Sequence, residues 1–265
     1  MNSPGTPHQA RKRFGQNFLH DAHVIERIVR AIAPQPGQIL VEIGPGLGAI
    51  TAPLLEAAHK LHVIELDRDV IPHLQQHCAG RGELHIHQID ALKFDFAELA
   101  GGERTLRVVG NLPYNISTPL MFHLLTYAPL IIDMHFMVQK EVALRMAAPP
   151  GADDYGRLSV MLQWRCAVDL LFSVGPGAFR PAPKVDSAFV RLKPHRAAPV
   201  QVNDERRFTD VVNRAFSQRR KTLRNTLKDF LNESEIRALG IDPGLRPEVL
   251  SLAQFALLAN AAHPK

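Results

Sequence analysis

Cysteine is scarce in this chain: two among 265 residues, Cys78 and Cys166, far apart. That excludes a disulfide scaffold and a CxxC metal knuckle and favours a reducing, cytoplasmic setting. Long apolar runs are also missing. None approaches the ~18 residues of a membrane-spanning helix. The opening MNSPGTPHQARKRF has no apolar segment of the kind a secretory signal needs. Glycine and proline, 17 and 20 residues, follow no period, which excludes a collagen-like chain. No internal repeat is visible. The 13 histidines form no HxxxH-type pair with a third ligand nearby, so no metal site is expected. What remains is an ordinary globular composition, 46% hydrophobic and 22% charged, long enough for one large domain or a large and a small one.

The net charge is +5, and its distribution says more than its size. Residues 1–30 carry +3, residues 31–205 carry −3, residues 206–228 carry +7 and the last 37 carry −2. A near-neutral body therefore bears a basic N-terminal arm and one strongly basic stretch, the asymmetry of a protein that meets a polyanion.

Apolar, β-branched runs recur about every 22–25 residues at 38–44, 61–67, 84–90, 106–112 and 130–138. Helix-compatible stretches, such as 49–60 and 69–80, separate them. Strands alternating with helices predict βαβ units and a parallel sheet. Two further runs, 166–174 and 187–195, flank a Pro-rich loop and predict an antiparallel pair at the sheet edge. Beyond about 196 the spacing turns helical, with Phe208, Val211, Val212, Ala215 and Phe216 on one face. TLRNTLKDFL is expected to continue that helix. The fold class expected is α/β, a doubly wound Rossmann-like sheet over 1–196 followed by a small all-helical C-terminal domain over 197–265.

Val41-Glu42-Ile43-Gly44-Pro45-Gly46-Leu47-Gly48 follows a strand and opens a helix. Glycines there make the turn tight and let a ligand approach the backbone. Glu65 ends the next strand, 21 residues after Gly44, where a carboxylate can accept both ribose hydroxyls. A nucleoside cofactor is implied. Gly44-x-Gly46-x-x-Ala49 also satisfies the dinucleotide fingerprint, so NAD is a competing reading. Glu42 argues against it, because a carboxylate at the strand end suits a cationic ligand and disfavours a pyrophosphate. Asp90 ends the third strand, where it can accept from an adenine amino group. S-adenosylmethionine carries a sulfonium and an ammonium and no phosphate.

Asn111-Leu112-Pro113-Tyr114 ends the fourth strand and faces the same crevice as Gly44, since ligands of doubly wound sheets sit beyond the strands' carboxyl ends. An exocyclic adenine amine is a poor nucleophile because its lone pair is delocalised into the ring. The Asn111 side-chain oxygen and the Leu112 carbonyl can each accept one N–H, which turns that lone pair toward an incoming methyl. Pro113 stiffens the backbone, and Tyr114 offers a ring for stacking. If the ring only stacks, Tyr114→Phe should be nearly silent. In the Pro-rich loop, Phe179 can supply a second aromatic face and Lys184 a phosphate-binding cation.

Six motifs in order, FGQNFL (14–19), EIGPGLGAIT (42–51), VIELD (63–67), IDALKFD (89–95), NLPYNIS (111–117) and FRPAPKVDS (179–187), with FSQRRKTLRN (216–225), resemble those of the ribosomal RNA adenine N6-dimethyltransferases, the KsgA/RsmA family. The resemblance covers essentially the whole chain. It implies that Asn17 and Leu19 close over S-adenosylmethionine, Gly44 packs against its methionine part, Glu65 holds the ribose and Asp90 the adenine amine. Asn111 would lie between cofactor and target, with Tyr114 and Phe179 sandwiching the base. It further implies dimethylation of two adjacent adenosines in the 3′-terminal hairpin of 16S rRNA within the small ribosomal subunit, by a cytoplasmic monomer without membrane association. The short segment before FGQNFL argues against a transit peptide. A large-subunit rRNA methyltransferase would share the first domain, but FSQRRKTLRN favours the small-subunit enzyme. A non-catalytic RNA-binding factor would be expected to have lost NLPY or the glycine turn.

Arg220, Arg224 and Lys228 are four residues apart and would form one stripe on a continuous helix, stepping about 6 Å, close to the spacing of phosphates along a strand. Arg219 and Lys221 flank it, while Leu223, Leu227, Phe230 and Leu231 would face the core. This helix is expected to grip rRNA backbone.

Overall fold

The computed structural model describes residues 17–114, 116–218 and 220–263. The chain divides into two compact units. One runs up to Lys140 and resumes over Asp169–Pro194; the other comprises Glu141–Val168 and the chain from His195 onward.

In the first unit the apolar runs become strands at the expected places. β1 (Phe18–Leu19) is a short addition ahead of α1 (Ala22–Ile32). The main run is β2 (Ile39–Ile43), α2 (Thr51–Ala58), β3 (Lys60–Ile64), α3 (Ile71–Cys78) and β4 (Glu83–His87). After the single turn α4 (Ala97–Ala100) come β5 (Leu106–Asn111), α5 (Ser117–Leu125) and β6 (Ile131–Gln139). The chain then passes through the second unit in α6 (Lys140–Ala147) and α7 (Arg157–Arg165) and returns with β7 (Cys166–Val174), β8 (Phe179–Arg180) and β9 (Ser187–Pro194).

The sheet order is β4-β3-β2-β5-β6-β9-β7, parallel from β4 to β6 and antiparallel where β9 meets β6. The chain builds outward from β2 through β3 to β4, then returns to add β5 on the other side of β2. That reversal makes β2–β5 the topological switch point, where a crevice opens beyond the strands' carboxyl ends. The strands are near-continuously buried: all of Leu40, Val41, Leu61, Val63, Val108 and Val109 are inaccessible. This is the pattern of a parallel sheet covered on both faces. The two late runs do lie at the edge, with β7 outermost.

α1 is capped at its start by Asp21, whose carboxylate accepts from the Val24 N–H at 3.0 Å. Its other end is held by a buried clasp. Arg107, near the start of β5, donates to the Ile32 carbonyl at 2.7 Å and to both oxygens of Asp133 at 2.8 and 2.9 Å. A third branch reaches Gln38 Oε1 at 2.8 Å. One guanidinium thus satisfies a helix-end carbonyl and a buried carboxylate together.

The second unit is helical. α8 (Glu205–Ala215) is capped by Asp204 and buries Phe208, Val211, Val212 and Ala215, the face read from the spacing. α9 (Leu223–Thr226), α10 (Glu233–Ala238) and α11 (Leu252–Ala261) follow, the last two opened by capping boxes at Asn232–Glu235 and Ser251–Gln254.

Two features differ from the sequence expectation. Residues 141–168 group with the C-terminal helices, so a single cut at 196 does not describe the packing. Trp164 of α7 packs against Phe208 in a tilted pair at 4.5 Å between centroids, and the Tyr155 hydroxyl donates to the Leu250 carbonyl at 2.8 Å. The continuous basic helix is also absent. α8 ends at Ala215, Thr222 is extended, and α9 is a single turn. The cause lies in the backbone: the N–H groups of Leu223 and Arg224 donate to the carbonyls of Leu245 and Pro243 rather than to a preceding helical turn. Arg220 therefore precedes α9 and Lys228 follows it, so no i, i+4 stripe forms. Leu223, Leu227, Phe230 and Leu231 are nonetheless buried, and Arg220, Lys221, Arg224 and Lys228 are exposed. Arg219 lies outside the described residues.

Arg107→Ala would leave Asp133 charged and buried without its partner. The expected loss is about 3–5 kcal/mol in urea unfolding. A loss under about 1 kcal/mol, the level of an ordinary exposed pair, would show that the clasp does not hold α1 to the sheet.

Candidate active site

A cavity of about 800 Å³ opens in the first unit at the carboxyl ends of β2 and β5. The turn after β2 supplies one wall. Gly44 and Gly46 have φ of 67° and 54°, and a Cβ on Gly46 would lie 3.1 Å from the Phe18 ring. The ring of the arm residue is therefore packed directly on the glycine turn. β5 is drawn just as close to β2: a Cβ on Gly110 would sit 2.6 Å from the Ile43 carbonyl oxygen. Only glycine lets the two switch-point strands approach to this distance.

Glu42, Gly44, Gly46, Glu65, Asp90, Asn111, Leu112, Pro113 and Tyr114, together with Asn17 and Leu19, all line this one cavity. Glu65 is tied by the Asp67 N–H at 2.8 Å and Asp90 by the Leu92 N–H at 3.0 Å. Each carboxylate is thus aimed by its own following turn. Burial raises the Glu65 pKa, against the hydrogen bonds from the backbone that lower it.

The Asn111 side chain is oriented by the arm. Its Nδ2 donates to the Asn17 carbonyl at 3.0 Å. A carbonyl only accepts, so the amide nitrogen must face Asn17 and Oδ1 is left as the acceptor. β1 holds Asn17 in place by pairing antiparallel with β8, Leu19 opposite Phe179, and the His20 N–H bonds the Ala178 carbonyl at 3.0 Å.

Six expected site residues do not line this cavity. Phe179 is 2% exposed, packed in the core with Leu19, Ala178 and Phe189, and does not line the cavity. Its neighbours Arg180 and Pro181 do. Lys184 is exposed on the loop beyond. Arg220, Lys221, Arg224 and Lys228 belong to the other unit. Three residues not singled out from sequence contribute. Leu66 and Ile89 line the cavity, 52% and 36% exposed, each beside a carboxylate, as apolar walls for a flat ring. Their position next to Glu65 and Asp90 was the available signal. Phe18 is the third.

Glu42 is 1% exposed, and neither carboxylate oxygen has a hydrogen-bond partner among the described residues. Burial pushes its pKa up to about 8, outweighing the neighbouring Thr51 side chain, which lowers it, while the nearby Glu65 adds to the rise. A buried carboxyl left unpaired is costly unless it stays neutral or meets a cation. The lining holds three acidic side chains, Glu42, Glu65 and Asp90, against one guanidinium, Arg180. That balance fits a cationic nucleoside such as the expected S-adenosylmethionine and is ill-matched to a pyrophosphate.

The family model described as ribosomal RNA adenine dimethylase matches residues 7–263. The chain belongs to the ribosomal RNA adenine dimethylase family. As a member it is an rRNA methyltransferase. It is 60% identical over 253 residues to the ribosomal RNA small subunit methyltransferase A of Pseudomonas fluorescens (strain Pf0-1), covering 96% of this chain and 93% of that one. It is 56% identical over 258 residues to the protein of the same name from Marinomonas sp. (strain MWYL1), covering 97% of both. Among solved structures, a dimethyladenosine transferase from Plasmodium falciparum superposes with a TM-score of 0.70 at 30% identity, covering 84% of this chain and 78% of that one. The 23S rRNA methyltransferase ErmE shares the fold, with a TM-score of 0.74 at 24% identity over 92% of this chain and 99% of that one. Among the described residues no helix is long and apolar enough to cross a membrane, and no cluster of three or more His, Cys, Asp or Glu could hold a metal ion.

The raised Glu42 pKa sets a pH dependence for the ligand-free methyltransferase. Between the unfolded value near 4.5 and about 8 the folded protein keeps a proton that the unfolded chain has lost, so stability falls as pH rises through that window. By pH 7 the cost is roughly 3 kcal/mol. Glu42→Gln, neutral throughout, is expected to raise the melting temperature at pH 7.5 and to leave it almost unchanged at pH 4.5. Equal shifts at both pH values would contradict a neutral buried Glu42.

Proposed function

We propose that this methyltransferase transfers methyl groups from S-adenosylmethionine to N6 of two adjacent adenosines in the 3′-terminal hairpin loop of 16S rRNA. The product is N6,N6-dimethyladenosine, formed on the small ribosomal subunit or its precursor by a monomer in the cytoplasm. The orientation of Asn111 carries this reading. Its acceptor oxygen stands at the end of β5, across the switch point from Glu42 and the glycine turn.

S-adenosylmethionine, when bound, supplies an electrophilic methyl on a sulfonium. Glu42 would face the cationic part, Glu65 would accept from the ribose hydroxyls and Asp90 from the adenine amine, between Leu66 and Ile89. Gly44 and Gly46 admit the chain's close approach, and Asn17 and Leu19 cover the site from the arm. On the target side, Asn111 Oδ1 and the Leu112 carbonyl accept the two N–H bonds of the base's amine. They align its lone pair and stabilise the positive charge that develops on the nitrogen. Pro113 keeps the two acceptors apart at a set distance, and the Tyr114 ring is the platform for the unstacked base. Tyr114 is not suited to act as a base, since burial raises its hydroxyl pKa above the usual range. The proton can leave to water after transfer.

The exposed cations Arg220, Lys221, Arg224 and Lys228 of the second unit, with Arg219 of the same basic stretch, and separately Lys184 of the first unit, would draw in the rRNA backbone by charge rather than as a ruled stripe. The small-subunit assignment is supported by the shared name of the relatives at 56–60% identity. The 23S name of a structure at 24% identity speaks only for the fold.

The direct test is methyl transfer from labelled cofactor to undermethylated small subunits, with the modified nucleotides mapped. Label in two adjacent adenosines near the 3′ end of 16S rRNA is expected. Label confined to 23S rRNA would overturn the substrate assignment. Asn111→Ala should slow single-turnover methylation by about 100-fold or more, as loss of one preorganised hydrogen-bonding group does, with a much smaller effect on cofactor affinity. Glu65→Ala should weaken cofactor binding by roughly 1–3 kcal/mol in calorimetry; unchanged affinity would remove Glu65 from the ribose role.

A further inference from the structure

Tyr114 carries a hydroxyl that stacking alone does not use. In the structure it lies 2.6 Å from Ser187 Oγ. Ser187 is fully buried, opens β9, and is paired in register with Gln139 of β6. It is also the last residue of the FRPAPKVDS segment whose Arg180 and Pro181 line the cavity. The backbone around Tyr114 is held as well. The Leu112 N–H donates to the Met137 carbonyl at 3.1 Å, the Ile116 N–H to the Pro113 carbonyl at 3.1 Å, and the Ser117 hydroxyl to the Tyr114 carbonyl at 3.1 Å. The main chain fixes where the ring begins. It does not fix the two side-chain torsions that decide which way the ring faces. Among the described residues, the hydrogen bond at the ring's far end is the one with Ser187.

We propose that Ser187 is a positioning residue for the target base: its hydroxyl holds the Tyr114 ring at the cavity mouth, so that the stacking platform is set before the adenosine arrives. The proposal rests on Tyr114 being that platform. It assigns the phenolic oxygen a role that a phenylalanine cannot fill, so Tyr114→Phe should not be silent. It also explains why a small hydroxyl residue stands buried at the first position of a sheet strand, where an apolar side chain would pack at no polar cost.

The test is a double-mutant cycle on undermethylated small subunits, comparing Ser187→Ala, Tyr114→Phe and the double variant, with Tyr114→Ala alongside. Each single variant is expected to lower single-turnover kcat by roughly tenfold, the order of losing one hydrogen bond that holds reactive geometry. KM for the subunit and cofactor affinity by calorimetry should stay within about twofold. The double variant should be no slower than either single, because both remove the same bond. Multiplying effects, a change confined to KM, or single variants within twofold of the parent would overturn the proposal. Tyr114→Phe leaves the buried strand untouched, so it decides the matter even if Ser187→Ala folds poorly. An inactive Tyr114→Ala beside normal Tyr114→Phe and Ser187→Ala would leave the platform standing and remove only Ser187. A fully active Tyr114→Ala would remove the platform itself.

Discussion

The contact on which the site depends is the close pairing of β2 with β5. Gly110 has no side chain, and one atom more would collide with the Ile43 carbonyl. Because the strands can approach, the turn after β2 and the tetrapeptide after β5 open onto the same cavity. A cofactor held by the first and a base held by the second would then meet without any loop having to reach across the sheet. The reversal of strand order at this point opens the crevice, and the pairing of β1 with β8 sets Asn17, Phe18 and Leu19 along its lining.

Two buried ionisable groups near these strands stand in opposite situations. Arg107, near the start of β5, is fully engaged with Asp133, Gln38 and the end of α1. It is expensive to bury but completely satisfied, and its task is to hold a helix on a sheet. Glu42, at the other end of β2, is as deeply buried and has no partner among the described residues. A folded protein tolerates such a group only by keeping it neutral. In the proposed function the cost it imposes near neutral pH would be offset by a bound cation, so the amino ends of the parallel strands would serve stability and the carboxyl ends the ligand.

Orientation inside the cavity is set by weak polar contacts rather than by bulk. The carbonyl of Asn17 decides which end of the Asn111 amide points inward. The hydroxyl of Ser187 meets the far end of Tyr114. Neither contact contributes much to stability, about 1 kcal/mol each by the usual measure. Both restrict torsions that would otherwise be lost to the reaction, and both come from segments more than 70 residues away in the chain.

The strands, the glycine turn, the three carboxylates and NLPY were legible because each is a local pattern: alternation of apolar runs, a tight turn, a residue type at a strand end. Parallel topology then followed, since helical connections force it. The basic stretch was misjudged for the opposite reason. Its spacing over 216–231 is helical, but the backbone of Leu223 and Arg224 found better acceptors at Leu245 and Pro243, partners about twenty residues further on. Phe179 was expected to offer a second aromatic face from the Pro-rich loop, whereas its ring packs with Leu19 and Phe189 in the core. The unit boundary moved because Trp164 meets Phe208, a contact with no sequence signal. Sequence by itself determined most of the residues that gather at the cavity and the strand ends on which they stand, because both depend on short-range periodicity. Tertiary structure alone decided how those residues are turned, which carboxyl is left unpaired and where the helix breaks, because each depends on hydrogen-bond partners brought in from distant parts of the chain.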